Sequence, residues 1–236
     1  KPVIPYSGIH PDHHAWWIHP YDANFIIDGN DGGIGITRDR GKTWQFDEKL
    51  PLGQYYHVNV DNQIPYNVMG GLQDNGSWHG PAYVWRRSGI RNAFWQGVSG
   101  GDGFDVMPDA EDPNWVYTMS QGGNVSRYNI ATGEQWSIRP PRPSKSVKQR
   151  FNWNAAIAQD PFDKATIYYG SQFVNKSTNK GAAWEQISGD LTTNDSAKID
   201  QSNNGGISVD ITGAENHCTI LTIEPSPKEQ GVIWVG

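Results

Sequence analysis

The sequence has little of what several common protein classes require. Its 236 residues include a single cysteine, Cys218, which excludes a disulfide framework and a cysteine-rich zinc site within the chain. It contains no run of 18 apolar residues, so we expect no transmembrane segment in this chain. The net charge is -6, and basic residues cluster only in the proline-rich segment 139–150, which we interpret as a solvated connecting loop. This charge distribution argues against nucleic acid as a partner.

Helical patterning is also missing, whereas aromatic residues and glycine are plentiful. No long window repeats its apolar residues at the 3.6-residue period of a helix. There are 11 Trp, 10 Tyr and 7 Phe, and the 27 Gly and 15 Pro interrupt the chain often. Aromatic stretches joined by glycine-rich turns favour β-strands. The composition therefore predicts an all-β protein.

Two octapeptides share a pattern that is typical of turns. TRDRGKTW at 37–44 and STNKGAAW at 177–184 both read [ST]-x-[DN]-x-G-x-x-W. The Asp or Asn can bond the backbone that follows it, the glycine can adopt a positive φ, and the tryptophan can anchor the next strand. We interpret both copies as structural turns and not as an active centre. The residues that define them are Thr37, Asp39, Gly41 and Trp44, and Ser177, Asn179, Gly181 and Trp184.

A longer repeat surrounds these two turns. Five segments contain an apolar run, a turn with Pro or Asp, and a second apolar run, and they begin near residues 14, 56, 104, 155 and 219. Trp44 and Trp184 lie 140 residues apart with three steps of the repeat between them, so the mean step is about 47 residues. This period is typical of the blades of a β-propeller. An ordinary β-sandwich with accidental self-similarity is the alternative.

The repeat predicts an all-β fold, a β-propeller with four-stranded antiparallel blades that is incomplete in this chain. About four and a half blades are predicted, over residues 10–50, 51–100, 101–140, 150–190 and, in part, 216–236. A long polar insertion at 188–216 precedes the fifth blade. Because that blade stops after its second strand, we expect the rest of the propeller to come from further sequence of a longer chain.

The two octapeptides resemble the Asp-box, or bacterial neuraminidase, repeats of sialidases, sortilin-type receptors and xyloglucan-cleaving glycoside hydrolases. Longer stretches, among them HPDHHAWWIHP, IDGNDGGI, GGDGFDVMPD and RFNWN, resemble large secreted bacterial propeller proteins described as sortilin-like or glycosyl-hydrolase-like. This resemblance covers nearly the whole chain and implies a propeller in an extracytoplasmic location, either secreted, periplasmic or at the cell surface. No motif matches the arginine triad and tyrosine nucleophile of sialidases. Since fold does not fix function, the site has to be argued from its residues.

Propeller topology predicts where such a site would lie. The innermost strand of each blade starts, and the loop between the second and third strands returns, on one face beside the central channel, here called the channel face. Amides and carboxylates beside aromatic rings are suited to sugars, so we expect this face to bind a polysaccharide. The predicted ligand-binding residues are His13, His14, Asp31, Tyr56, His57, Gln73, Asn75, Asn152, Trp153 and Asn154.

Asp74 and Asp102 are the candidate catalytic pair, because they fall on the channel face of neighbouring blades. Two carboxylates across a cleft can hydrolyse a glycosidic bond by acid–base chemistry, and Asp31 and Asp105 are in reserve for this role. The alternative is that both aspartates lie in tight turns that use Asx bonds and glycine at positive φ. Whether the protein is an enzyme stays open at this point.

No cofactor and no metal are expected. The imidazoles of HPDHH could hold a transition metal, but adjacent residues on a strand point to opposite sides, which disfavours joint ligation by His13 and His14. A catalytic Cys218 is disfavoured for the same reason, since its neighbour His217 would point away from it. The alternatives to a polysaccharide are a protein or peptide partner, as for sortilin-type propellers, and a structural role in a surface or envelope assembly.

Overall fold

A computed structural model describes residues 8–47, 50, 52–200 and 214–236. Much of the predicted insertion at 188–216 falls on residues 201–213, which lie outside the described residues. Backbone contacts divide the chain into two compact units, residues 1–54 and 55–236, and each unit is described by itself. Among the described residues, none belongs to a helix with the length and apolar character needed to cross a bilayer.

Nearly all regular structure is antiparallel β-sheet, as the composition predicts. The first unit forms one four-stranded sheet, with strands β1 (His13–His19), β2 (Asp22–Asn30), β3 (Gly33–Thr37) and β4 (Gln45–Asp47). The second unit forms three more four-stranded sheets and a two-stranded one. Their strands are β5 (Tyr55–Val60), β6 (Asn67–Leu72), β7 (Ser77–Pro81), β8 (Gln96–Ser99), β9 (Val106–Pro108), β10 (Trp115–Ser120), β11 (Asn124–Asn129), β12 (Gln135–Ser137), β13 (Ile157–Gln159), β14 (Ile167–Gly170), β15 (Val174–Ser177), β16 (Glu185–Gln186), β17 (Ile223–Pro225) and β18 (Ile233–Val235).

These sheets are the blades of an incomplete β-propeller, which confirms the predicted fold class. Within each blade the strands pair in the order in which they occur along the chain, and β17 and β18 are the first two strands of a fifth blade. Five separate meanders do not fit the alternative of a β-sandwich, which needs two sheets that face each other. Helix in the described residues is limited to short pieces: two 3-10 turns, Asn92–Phe94 and Gln121–Gly123, and one α-helix, α1 (Ser196–Ile199).

The blades of the second unit pack face to face through three apolar clusters. Because side chains alternate along a strand, each blade presents one apolar row to each neighbour. Burying a large apolar side chain contributes about 1.5–3 kcal/mol, so these clusters are the main source of stability in the unit. Their principal members are Met69, Val98, Val106 and Val116 between blades two and three, Phe104, Tyr117, Phe151 and Tyr169 between blades three and four, and Ala158, Tyr168, Ile220 and Ile223 between blades four and five.

An aspartate closes the turn between the first and second strands in three successive blades. Asp61 accepts hydrogen bonds from the backbone N–H of Asn67 at 2.8 Å, and Asp160 accepts one from Phe162 at the same distance. Asp109 occupies the corresponding position in blade three. Short polar side chains that bond the backbone ahead of them favour such turns. These carboxylates therefore have a structural role in setting the blade geometry.

The first box turn, 37–44, joins β3 to β4 and is held by two side chains. Thr37 Oγ1 donates to Asp39 Oδ1 at 2.8 Å and accepts from the Gly41 N–H at 2.9 Å. Asp39 also accepts from the backbone N–H and the hydroxyl of Thr43, at 2.9 and 2.7 Å. Arg40 and Gly41 adopt positive φ angles of 59° and 79°. The turn is thus closed mainly by its own polar side chains, and the Arg40 N–H also donates to the carbonyl of Asn24 at 3.0 Å.

The second box turn, 177–184, joins β15 to β16 and repeats the same bonds. Ser177 Oγ donates to Asn179 Oδ1 at 2.9 Å and accepts from the Gly181 N–H at 2.8 Å. Trp184 packs against the apolar cluster between blades three and four, and its indole N–H donates to the carbonyl of Ile138 at 2.6 Å. The turn therefore fastens the outer strand of blade four to the preceding blade.

Asp39→Asn is expected to leave stability at pH 7 close to that of the parent, because Asn179 makes the corresponding bonds with an amide oxygen. Hydrogen bonds from the Thr43 backbone and hydroxyl lower the pKa of Asp39 to about 2. A lowered folded-state pKa stabilises the fold above the ordinary value of 3.8, and this contribution is lost as the pH falls toward 2. Asp39→Asn should therefore lose less stability between pH 4 and pH 2.

Urea unfolding at pH 7 and at pH 3 measures this difference, with Asp39→Ala as the comparison. Alanine offers no acceptor to Thr37 or Thr43, so Asp39→Ala should be the least stable of the three proteins at pH 7. Equal acid sensitivity of the parent and Asp39→Asn would contradict the assignment of this bonding role.

Candidate functional site

The channel face of the second unit is built by direct backbone contact between neighbouring blades. The Gly103 N–H, just before β9, donates to the carbonyl of Leu72 at the end of β6, at 2.9 Å. The Gly76 N–H, in the turn between β6 and β7, donates to the carbonyl of Gly101 at 2.9 Å. These two bonds join the start of blade three to the turn between β6 and β7 of blade two, here called the inner loop of blade two. As a result, Asp74 and Asp102 lie close together.

Asp102 lies on this face and is only 4% exposed. Its Oδ1 accepts from the backbone N–H of Asp74 at 2.7 Å, and its Oδ2 accepts from the indole N–H of Trp153 at 2.7 Å. The side-chain amide of Gln121 also donates to Oδ2. The three donors come from blades two, four and three, so the carboxylate links three successive blades.

Asp74 lies in a tight turn between β6 and β7. Its φ is 59°, in the left-handed region that Asp tolerates better than most residues. The Asn75 side chain donates to the carbonyl of Gln73 at 2.9 Å, and the Trp78 indole N–H donates to the carbonyl of Asn75 at 2.7 Å. Gln73, Asp74 and Asn75 therefore form a turn, and the turn interpretation accounts for their backbone geometry.

A second polar group on the channel face surrounds His57. Its Nε2 lies 2.9 Å from the Asn154 side-chain nitrogen, so residues at the starts of blades two and four meet here. The Asn59 side-chain amide donates to Asp105 Oδ1 and, at 3.0 Å, to the carbonyl of Val106. Burial raises the pKa of the Asp105 carboxyl, although the nearby His57 and the Asn59 amide oppose this effect. The reserve acid Asp105 is thus held in a less polar setting than a surface carboxylate.

Tyr56 supplies an aromatic ring beside these groups. Its ring centroid lies 4.9 Å from that of Phe104, and the residue remains 40% exposed. Burial, together with the charges of Asp102 and Asp74, raises the pKa of the Tyr56 hydroxyl. The hydroxyl therefore stays protonated at neutral pH and can donate a hydrogen bond.

A cavity of about 920 Å³ opens next to Trp153, where blades four and five begin. Its volume lies within the range of small-molecule sites. Asn152 Oδ1 accepts a hydrogen bond from the backbone N–H of Asn216 at 2.9 Å, and this bond joins the starts of blades four and five. The lining residues are Asn152, Trp153, Leu191, Thr192, Thr193, Glu215, Asn216, His217, Cys218, Thr219, Ile220, Leu221, Val235 and Gly236.

Arg150 holds one wall of this cavity in place. Its guanidinium donates to Asp190 Oδ2 at 2.7 Å, to Thr192 Oγ1 at 3.2 Å and to the carbonyl of Cys218 at 3.1 Å. The segment at the start of the insertion is thereby tied to the start of blade five. Cys218 Sγ lies 3.4 Å from the hydroxyl of Thr193, in the same wall.

The sequence predicted Asn152 and Trp153 as ligand-binding residues, but it did not predict that Thr192, Thr193 and Glu215 would line the cavity. These three belong to the insertion, which has no counterpart in the other blades and so no repeat by which to place it. Its polar composition was the one available signal that it could line a site.

His13, His14 and Asp31 belong to the first unit, where each histidine pairs with a different carboxylate. His13 Nδ1 lies 2.7 Å from Asp28 Oδ2, and Asp28 is fully buried. His14 Nε2 lies 2.7 Å from Asp31 Oδ1 at an exposed position. The two imidazoles therefore point to separate partners, as expected for adjacent residues on a strand.

No protein-family model and no curated protein matches this chain. Among solved structures, it is similar to a GH74 xyloglucanase from Xanthomonas campestris, with a TM-score of 0.47 and 15% identity over 95% of this chain and 35% of that one. It is similar to the extracellular domain of a proposed one-component system from B. thetaiotaomicron, with a TM-score of 0.45 and 16% identity over 98% of this chain and 27% of that one. The WD40 β-propeller domain of Doa1 gives a TM-score of 0.48 and 12% identity over 90% of this chain and 57% of that one.

The chain thus spans about a third of the length of the xyloglucanase and about a quarter of the length of the extracellular domain. Identities of this size concern the fold alone and carry no argument about activity.

Proposed function

We propose that this protein binds a polysaccharide on its channel face, in an extracytoplasmic location. The observation that carries the proposal is the position of Trp153, whose half-buried indole lines a cavity together with amide and hydroxyl side chains. An aromatic ring covers the apolar side of a pyranose, while amides and hydroxyls exchange hydrogen bonds with sugar hydroxyls. The polar side chains that line the cavity are Asn152, Asn216, Thr192 and Thr193, and each of them also bonds a protein group.

The geometry favours binding over hydrolysis by Asp74 and Asp102. A glycosidase of the usual kind needs two carboxyl groups that reach the same sugar from one solvent-filled cleft. Asp102 is buried, and both of its oxygens already accept hydrogen bonds from the protein. Among the described residues that line the cavity, Glu215 is the sole carboxylate. We therefore propose a carbohydrate-binding propeller without a catalytic pair at these two positions.

A glycan array tests this proposal, with the parent protein, Trp153→Ala and Trp85→Ala. Trp85 is a matched control, because it is 89% exposed in the connection between β7 and β8 and lies apart from the cavity lining. We expect the parent to bind a set of polysaccharides and Trp153→Ala to lower the affinity about 30-fold, the loss typical of a central aromatic contact. Trp85→Ala should bind like the parent.

Melting temperatures of the three proteins show whether each variant is folded. Equal affinity of the parent and Trp153→Ala would place the sugar site elsewhere on the molecule. If the parent binds no glycan, the carbohydrate proposal is overturned, and a search for a protein or peptide partner follows from the sortilin-like alternative.

A further inference from the structure

We infer that Asp102 is a positioning residue that orients Trp153 for ligand binding, and that it does not act as a catalytic acid or base. This inference rests on the proposed polysaccharide site, because Trp153 is the aromatic residue that lines the cavity. Asp102 itself is absent from the cavity lining. Its influence on a ligand would therefore pass through the indole.

The indole of Trp153 has a single polar group. A tryptophan side chain has one hydrogen-bond donor and no acceptor, so one partner can fix the direction of the ring. In Trp153 that donor is 2.7 Å from Asp102 Oδ2, a carboxylate oxygen in a residue that is 4% exposed. Hydrogen bonds to an ionised acceptor are stronger than those between neutral groups. The ring of Trp153 also packs against the apolar cluster between blades three and four, and the bond to Asp102 fixes its polar edge from blade three.

Only a carboxylate suits the position of Asp102. The two donors with fixed directions approach different oxygens, since the Asp74 backbone N–H meets Oδ1 and the Trp153 indole meets Oδ2. Asparagine has the same shape but only one oxygen, and its NH₂ group would face one of these two N–H groups. Gln121 could turn its amide to compensate, whereas the backbone and the indole could not.

Burial makes the mismatch between asparagine and these donors costly. A donor that loses its acceptor in a buried site also loses contact with water, so the side chain that can move will move. The Asp74 N–H belongs to a closed turn, while the Trp153 side chain borders the cavity and has space on that side. We therefore expect Asp102→Asn to release the indole of Trp153.

Indole N–H exchange with solvent tests this inference without any ligand. A ¹⁵N-labelled sample should show signals from the 11 tryptophan indoles, and Trp153→Phe identifies the signal of Trp153 by its loss. We expect slow exchange of this proton in the parent and exchange at least about tenfold faster in Asp102→Asn. Asp112→Asn is the control, because Asp112 lies in a turn of the same blade and its side chain accepts hydrogen bonds from Asn114 in that turn.

A double-mutant cycle with a polysaccharide from the array provides the second measurement. Asp102→Asn should lower the affinity about tenfold in the parent background and should have no further effect in the Trp153→Phe background, because Phe has no donor for Asp102 to hold. If Asp102 acted as a general structural support, or bound the ligand itself, its substitution would lower the affinity equally in both backgrounds. That outcome would overturn the inference.

The two measurements separate this inference from the proposed function. Unchanged exchange of the Trp153 indole in Asp102→Asn, with polysaccharide binding intact, would overturn the positioning role alone. Absence of binding by the parent would overturn the proposed function and, with it, the role in binding. If Asp102→Asn does not fold, indole N–H exchange in the parent protein tests the inference instead. Slower exchange of the Trp153 indole than of the exposed Trp85 indole supports the inference, and equal exchange overturns it.

Discussion

Gly103→Ala is expected to destabilise the second unit by about 3 kcal/mol, the upper end of the usual cost of overpacking. A Cβ atom at this position would lie 2.2 Å from the carbonyl oxygen of Gly76 and 2.4 Å from Ser77 Oγ. The first of these atoms is backbone, and Ser77 is fully buried, so neither can move aside easily. The Gly103 N–H is also bonded to Leu72, which prevents the strand from withdrawing without losing that bond.

Gly100→Ala is the matched control for this prediction. It lies three residues earlier in the same loop, but a Cβ atom there would meet no heavy atom within 4 Å, and its φ lies outside the left-handed region. We expect its stability to lie within about 0.5 kcal/mol of the parent, as for most surface substitutions. Urea unfolding curves measure both variants. Similar stability of the two would contradict the close approach of β9 to the inner loop of blade two.

Asp109→Ala is expected to cost about 3–5 kcal/mol, because it removes one partner from a buried ionic network. The Asp109 side chain is fully buried and lies 3.0 Å from the guanidinium of Arg127 and 3.0 Å from the ammonium of Lys180. Lys180 belongs to the second box turn, so this carboxylate joins blade three to blade four. Alanine would leave two largely buried cations with less compensation, although Lys180 keeps its contact with Glu111 at 2.9 Å.

The same network predicts how stability depends on pH. Burial alone would raise the pKa of Asp109, but hydrogen bonds from the Glu111 backbone N–H and from Lys180 outweigh it and lower the pKa. A lowered folded-state pKa gives stability that is complete above the ordinary carboxyl value and is lost as the pH falls through the folded-state value. Asp109→Ala should therefore lower the free energy of unfolding at neutral pH. It should also make that free energy depend less on pH under acidic conditions.

Asp112→Ala serves as the control, because it removes a carboxylate from the same turn without touching either cation. Its side chain accepts only from the Asn114 backbone and amide at an exposed position, so a loss below about 1 kcal/mol is expected. Unfolding by urea at pH 7 and at pH 3, below the ordinary carboxyl value of 3.8, compares the three proteins. A loss in Asp109→Ala no larger than in Asp112→Ala would show that the ionic network contributes little.

The fold could be predicted because the residues that determine its turns and strands lie close together in the chain and recur from blade to blade. The turn between β3 and β4 is closed by Thr37, Asp39 and Gly41, all within five residues of one another, and Ser177, Asn179 and Gly181 repeat those bonds. Apolar runs separated by Asp or Asn turns mark the strands on either side. Local bonds of this kind leave a pattern in the sequence that recurs at a fixed period, and the period predicts the blade.

The location of the candidate site was predictable only as a face. Topology predicts which strand starts and which loops share an end of the blades. In the structure, Trp153 contacts Asp102 and Asn154 contacts His57. The position of the insertion could not be predicted from the repeat, since no other blade has an equivalent of Thr192 or Glu215. A segment that occurs once offers no period from which its position can be inferred.

The repeated pattern predicts the meander blades and their turns, because these depend on residues that are close together in the chain. The surroundings of Asp102 depend instead on how the blades pack. The Asp74, Gln121 and Trp153 donors that meet its carboxylate lie 28, 19 and 51 residues away along the chain, in three different blades. The role of a carboxylate depends on whether its oxygens face water, a ligand or protein donors, and these surroundings exist only after the blades have packed.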